Sequence, residues 1–265
     1  MSFAHEIGVA PDAPRSAPAE RPAIPTATYL FRADTRMGDV VDLALSDRAL
    51  GPDNSLEVLS VGSSFGAEAD SVLAHITEAA PNIGSISLTG VDINPAMVEA
   101  AQRGTYLTTH EHRVRPAPGA RREALDLQAY MPKFDVRPNA DDPTLHHIDT
   151  NPLRRQHEVT FWHGDLRDGM QVPEADLILA NNLLFHLTST GAEKLVDSMA
   201  DRLAPGGVMS FGANPKQLHM ESGNPDAADY PAWRRAMAEK LAARGIRTVL
   251  YDAKRKAPFV FRREA

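Results

Sequence analysis

The sequence predicts an α/β fold with a doubly wound, mainly parallel sheet, and three observations carry that reading. Short apolar runs alternate with segments of helical spacing from Leu56 to Phe211. Several of those runs stop at a glycine or an acidic residue and pass straight into a helix. Two final runs, Thr248–Asp252 and Pro258–Arg262, are joined by a basic turn too short for a crossover, so they pair antiparallel.

The elements follow in order. Residues 1–25 hold Pro11, Pro14, Pro18, Pro22 and Pro25 among Ala, Ser and charged residues. Such a segment buries too little apolar surface to offset its ordering entropy and reads as a flexible arm ahead of one domain, 26–265. Thr26–Leu45 is a short helical lead-in with Leu30, Phe31, Met37, Val40, Val41 and Leu43 as its apolar positions. Leu56–Val61, ending in Gly62, suits a central strand buried on both faces. Glu68–Ala79 has helical spacing through Val72, Leu73 and Ile76. Ile86–Val91 is the second strand, and Pro95–Arg103 is a helix with proline in its first turn. Val159–Trp162 and Ala175–Ala180 are the third and fourth strands. Gly191–Leu203 is a helix closed by Pro205, Gly206 and Gly207, and Val208–Phe211 is the fifth strand. Tyr230–Arg244 is the last helix, ended by Gly245.

One stretch interrupts the alternation. Gly104–Gln156 is rich in charge and proline, with Pro116, Pro118, Pro132, Pro138 and Pro143 and only short apolar pieces such as Leu125–Tyr130. A loop this long inside a domain is usually functional or disordered, and its place near the ligand edge makes it a candidate substrate cap.

Composition narrows the function classes. With 265 residues and 43% hydrophobic residues the chain can bury a large core, and no apolar run reaches the roughly 20 residues of a membrane span. The N-terminal segment carries Glu6 and lacks a basic stretch followed by an apolar one, so a cytoplasmic protein is expected. There are no cysteines, which removes disulfides, thiolate metal sites and cysteine nucleophiles together. A net charge of −7 argues against nucleic acid as a partner. His146, His147, His157 and His163 are irregularly spaced and read as solvated histidines rather than a metal site.

The local chemistry concentrates at three strand ends. Val61-Gly62-Ser63-Ser64-Phe65-Gly66-Ala67-Glu68 runs from strand through a glycine turn into a helix, which lets a ligand approach backbone N–H groups. The second strand ends Val91-Asp92-Ile93-Asn94, and an acidic residue there suits the two hydroxyls of a ribose. Asp92 has a plainer alternative, capping the helix that opens at Pro95. The third strand ends Trp162-His163-Gly164-Asp165-Leu166, with a carboxylate where an adenine amino group fits. Together the three ends indicate a nucleoside site. A dinucleotide fits less well, because G-x-G-x-x-G is incomplete.

These residues resemble the chemotaxis-receptor glutamate methyltransferases of the CheR type. That family's first motif is similar to Gly62-Ser63-Ser64-Phe65-Gly66-Ala67-Glu68-Ala69-Asp70-Ser71, matching at Gly62, Ser64, Gly66, Glu68 and Ser71. Its Thr-Asp-Ile-Asn and Ala-x-x-Gly-x-Tyr segments resemble Val91–Asn94 and Ala101–Tyr106. Its Thr-x-Phe-Phe-Arg looks like Thr28–Arg32, its Arg-Asn-Val-Leu-Ile-Tyr-Phe like Asn181–Leu187, and its Leu-x-Pro-Gly-Gly stands at Leu203–Gly207. The resemblance, over about residues 26–215, implies a class I Rossmann-like domain that binds S-adenosylmethionine (SAM) and transfers its methyl group. It implies Thr28 and Arg32 at the methionine part, and Gly62 and Glu68 at the amino-acid end with Ser64 and Gly66 in the same turn. It also implies Asp92 at the ribose beside Ile93, Asp165 with Leu166 at the adenine, and Asn182 as the motif asparagine after the fourth strand.

Three departures bear on the acceptor. Only the proline-rich arm precedes Thr28 where the family has a helical docking domain. The charged Gly104–Gln156 stretch stands in place of the family's small receptor-contacting β subdomain. Asn181 and His186 replace the family's Arg and Tyr. A small molecule, or an exposed carboxylate, hydroxyl or amine, is therefore the expected acceptor rather than a chemoreceptor. His186 is the candidate general base for a hydroxyl or amine, with Arg32 and Asn182 completing the candidate catalytic set. Its alternative is a packed histidine. Arg113, Arg115, Arg121 and Arg122 either meet an anionic substrate or are simply solvated. A SAM enzyme of another type, cyclising SAM or moving its aminocarboxypropyl arm, and a non-catalytic SAM-binding protein are the other classes weighed.

Overall fold

A computed structural model describes residues 30, 36–46, 54–109, 133–141, 145–212, 230–252 and 257–265. The arm at 1–25, together with Thr28, Phe31, Arg32 and the four insertion arginines, lies outside the described residues.

A strand flanked on both sides and covered on both faces must be apolar nearly throughout, and the central runs of this chain are. In chain order the elements are α1 (Met37–Leu45), β1 (Ser55–Val61), α2 (Ala67–Ala79), β2 (Ser85–Asp92) and α3 (Pro95–Arg103). Then come β3 (Thr105–Thr109), β4 (Asp135–Pro138), β5 (Leu145–Asp149), α4 (Asn151–Arg154), β6 (Glu158–His163) and β7 (Ala175–Leu179). The chain ends with α5 (Ser189–Arg202), β8 (Leu203–Ser210), α6 (Tyr230–Ala242), β9 (Ile246–Asp252) and β10 (Ala257–Arg263). Seven strands form one sheet in the order β6-β2-β1-β7-β8-β10-β9. The first five pair in parallel, and β10 lies antiparallel between β8 and β9. The doubly wound fold and its antiparallel C-terminal pair are as the sequence predicts. Strand order reverses between β1 and β7, which opens a crevice at the carboxyl ends of the strands.

Alternate residues of each strand feed two cores. Leu56 and Val58 of β1 pack with Val72, Leu73 and Ile76 of α2 on one face. Leu59 and Val61 pack with Leu195, Val196 and Met199 of α5 on the other. The lead-in helix starts later than expected, at Met37, and buries Met37, Val40 and Val41.

The insertion corrects the sequence reading. Its described residues form a second, antiparallel sheet in the order β3-β5-β4. The expectation that proline and charge replace a small β subdomain is thus wrong. Tyr106, Ile148 and Val136 face one another across the three strands, and the first two are buried against the main core. The outer face carries Arg137 and His147, both exposed. With one inward apolar residue per strand, the apolar signal is too thin to read from sequence.

One polar network fastens this sheet to the main domain. Asp70, in the first turn of α2, is fully buried and accepts Nε and Nη2 of Arg154 at 2.7 Å each. Tyr106 Oη donates to the same carboxylate and accepts Arg154 Nη2 at 3.0 Å. Thr150 Oγ1 lies 2.9 Å from Asp70 and 3.0 Å from the Gly104 carbonyl. The guanidinium also stacks over Phe161 of β6, 4.8 Å from the ring centroid. Burial, and then the Asp70 carboxylate, push the Tyr106 phenol well above its ordinary range, which keeps it a donor.

No helix among the described residues is long and apolar enough to cross a membrane. Removing one partner of a buried ion pair leaves the other charged and desolvated. Arg154→Met is therefore expected to lower unfolding stability by about 3–5 kcal/mol, read by urea denaturation, and the double variant Asp70→Leu/Arg154→Met by less. A second expectation concerns acid. Burial, and after it the Lys133 ammonium, lower the His75 imidazole to about 4. An unfolded histidine titrates near ~6.5, so between those values only the unfolded chain takes the proton. Stability should fall as pH drops from about 6.5 to about 4, by on the order of 3 kcal/mol, and His75→Gln should flatten that part of the curve.

Candidate functional site

Parallel strands end on the same side, so β1, β2, β6 and β7 deliver their last residues to one edge. The turn after β1 is left-handed at three of five positions: Gly62 at φ +67°, Ser64 at φ 50° and Gly66 at φ +90°. Its backbone is held to the next strand, since Gly62 and Ser63 both donate to the Val91 carbonyl, at 2.8 and 3.0 Å. Left-handed backbone is disfavoured for a serine by roughly 1–2 kcal/mol. A charge-assisted bond offsets it: Ser64 N–H donates to Asp92 Oδ2 at 2.8 Å.

Asp92 accepts a second backbone bond on its other oxygen, from Asn94 N–H at 2.8 Å. The helix cap belongs to Asn94, whose Oδ1 accepts from Ala96 N–H at 3.0 Å. The capping alternative for Asp92 is therefore taken by its neighbour, and Asp92 braces the turn instead. It remains partly exposed. Beside it Ile93 is 62% exposed, an apolar side chain held in the open at the strand tip. Glu68, in the first turn of α2, is also partly exposed.

The end of β6 is more closed. Asp165 caps a single 3-10 turn, Leu166–Asp168, by accepting Arg167 N–H at 2.9 Å. The Arg167 guanidinium also spans both of its oxygens, with Nε at 2.9 and 3.0 Å. Those hydrogen bonds hold the Asp165 carboxyl below the usual carboxylate range. Leu166 buries its side chain in the core and is 3% exposed.

After β7 the chain turns back over the first loop. Asn182 is left-handed, at φ 57°, and Leu183 lies over Gly62. A Cβ on Gly62 would stand 2.9 Å from Leu183 Cδ1, and at φ +67° any side chain there is strained, which favours glycine. Asn181 is buried, with Oδ1 accepting from Ser210 Oγ at 2.9 Å. His186 closes a second 3-10 turn, Leu184–His186, and is exposed.

The structure thus brings Gly62, Ser64, Gly66, Glu68, Asp92, Ile93, Asp165, Leu166, Asn182 and His186 to one edge. Thr28 and Arg32 lie outside the described residues. Asp70, Arg154 and Arg167 were not singled out from sequence. Tyr106 was, but only as the last residue of a motif. Among the described residues no group of His, Asp and Glu is placed to hold a metal.

Residues 26–138 match the family profile described as CheR methyltransferase, SAM binding domain. The N-methyltransferase NodS from Bradyrhizobium japonicum WM9 is 15% identical, covering 87% of this chain and 95% of its own, with a TM-score of 0.44. Magnesium protoporphyrin IX methyltransferase (ChlM) from Synechocystis PCC 6803 is 16% identical, covering 86% and 78%, with a TM-score of 0.44. CurJ carbon methyltransferase is 14% identical, covering 88% of this chain and 54% of its own, with a TM-score of 0.50. At such identities the likeness is one of fold. No curated protein matches the chain. Residues 26–138 thus carry the CheR-type SAM-binding methyltransferase domain, and the strand order of the whole sheet is that of the class I methyltransferase fold.

Proposed function

We propose that the chain methylates a small-molecule acceptor, with SAM lying along the strand-end edge. Gly62, Ser64, Gly66 and Glu68 would line its amino-acid end, Asp92 the ribose, Ile93 one face of the adenine, Asp165 and Leu166 the adenine rim, and Asn182 the turn facing the sulfur. Thr28 and Arg32 would close over the methionine part. The observation that carries this reading is Asp92. Each of its oxygens accepts one backbone N–H, and a carboxylate oxygen has a further lone pair for a ribose hydroxyl. The same residue therefore shapes the turn and faces the ligand. Exposed Ile93 fits an apolar nucleobase face.

SAM, when bound, supplies a methyl group on a sulfonium, whose charge disappears on transfer. The work left to the chain is alignment and the exclusion of water. A carboxylate acceptor needs no base, whereas a hydroxyl or amine sheds a proton. His186, exposed at the end of the β7 loop, is positioned by its N–H to Leu183 O bond of 2.9 Å, beside the leucine that covers Gly62. We assign it the proton-accepting role for such acceptors. The insertion, whose β3-β5-β4 sheet is anchored beside the turn through Arg154 and Gly66, would serve as the cap over the acceptor.

Two measurements test this. Asp92→Ala should weaken S-adenosylhomocysteine binding at least about tenfold by calorimetry, since charge-assisted bonds are lost. It should also lower the melting temperature, because Ser64 and Asn94 lose their acceptor; unchanged affinity would remove Asp92 from the site. For His186→Phe, turnover of a hydroxyl or amine acceptor found by panel screening should fall about a hundredfold to ten-thousandfold, with S-adenosylhomocysteine affinity kept. The parent rate should rise with pH through one ionisation and then level. A flat profile with a small loss would instead move the assignment to a carboxylate acceptor.

A further inference from the structure

Asn181 is 8% exposed, yet only half of its amide is used. Oδ1 accepts the Ser210 hydroxyl at 2.9 Å, and Ser210 Oγ lies 3.4 Å from the Gly212 N–H it faces. The hydroxyl accepts the Gly212 N–H on one lone pair and donates its single proton to Oδ1. Nδ2, with two N–H donors, is buried and has no hydrogen-bond partner among the described residues. Gly212, at φ +72°, backs the side chain so closely that a Cβ there would come within 3.0 Å of Asn181 Cα and Cβ.

The position is as telling as the missing bond. Asn181 lies two residues beyond the end of β7, the strand that flanks the reversal of strand order, and the next two residues turn the chain so that Leu183 covers Gly62. A buried donor pair left open is costly unless a ligand completes it. An uncharged amide offering only N–H here suits an oxygen acceptor and repels an ammonium group.

We propose that Asn181 is a ligand-binding residue of this site, its Nδ2 donating to a carboxylate or carbonyl oxygen seated over the ends of β7 and β8. The proposal rests on the SAM site described above. That oxygen belongs either to the methionine part of SAM or to the methyl acceptor. The chemistry is shared, and the source is for experiment.

The full-length chain labelled with 15N-asparagine gives side-chain amide cross-peaks, and Asn181→Asp identifies the Asn181 pair by its loss. S-adenosylhomocysteine and methylthioadenosine, which lacks the amino-acid part, are titrated first. Benzoate and benzyl alcohol are then titrated into protein saturated with S-adenosylhomocysteine. A shift of the Asn181 pair with S-adenosylhomocysteine but not methylthioadenosine supports the proposal and places the oxygen on the donor. A shift with benzoate but not benzyl alcohol supports it and places the oxygen on the acceptor. If S-adenosylhomocysteine raises the melting temperature while the Asn181 pair moves with none of the four, the proposal is overturned and the SAM site stands. Failure of S-adenosylhomocysteine to bind at all would sink the site reading itself. Asn181→Asp keeps the shape and the acceptor for Ser210 but replaces the donor with an oxygen. It should bind the shifting ligand about tenfold or more weakly, and recover as falling pH protonates the new carboxyl, a recovery no purely structural role predicts.

Discussion

The ion pair of Asp70 with Arg154 is the joint on which the two sheets meet. Asp70 belongs to α2, the helix that opens at the glycine turn, and Arg154 closes the excursion that begins after α3. Neither charge keeps a hydration shell, so each must be satisfied by the other and by neighbours. The neighbours are Tyr106 from β3, Thr150 from the end of β5, and the Ala101 carbonyl, which accepts Arg154 Nη1 at 2.5 Å. Such a pair adds little net stability over a well-packed apolar one, but it tolerates only one arrangement. The insertion can therefore dock on the main domain in a single register. Gly66 lies against the same guanidinium, since a Cβ there would stand 3.1 Å from Arg154 Nη2. The last residue of the turn after β1 and the anchor of the insertion thus touch.

That contact matters because the turn stores unfavourable backbone. Three left-handed residues within five, one of them a serine, persist only where surrounding bonds over-determine them. Here the bonds come from two directions. Val91 and Asp92 hold the turn from β2, and Arg154 and Phe161 limit Gly66 from behind. A site built this way is shaped before a ligand arrives, so little binding energy is spent on ordering it.

How much of this was legible in the sequence follows from the kind of force involved. The main sheet was legible because parallel strands buried on both faces leave nearly continuous apolar runs, and Leu56–Val61, interrupted only at Glu57 and Ser60, is one. That Gly62, Asp92 and Asp165 share one edge was legible because parallel topology places these strand ends on one side. The small sheet was not, since Tyr106, Val136 and Ile148 are single inward residues separated by polar ones. Asp70 did not stand out, because its partner lies 84 residues away and only the fold joins them. Asp92 was weighed as the cap of the helix opening at Pro95, and spacing alone did not show that Asn94 takes that role.

Asp165 shows how a local ion pair can redirect a motif. From sequence it stands where a carboxylate would receive an adenine amino group. In the fold both of its oxygens are engaged by Arg167, two residues on, which also lies close against Gly191 at the start of α5. A carboxylate so engaged keeps its charge and some lone pairs, but its direction is set by the arginine rather than by a ligand. On the neighbouring strand tip, exposed Ile93 offers an apolar surface. At the other end of the edge the situation is reversed. There Asn181 is buried and only half satisfied, so hydrogen bonding, not shape, has capacity to spare. The two ends of one edge thus differ: at β2 and β6 the carboxylates of Asp92 and Asp165 already accept hydrogen bonds from the protein, whereas at β7 and β8 the buried Asn181 amide has donors to spare.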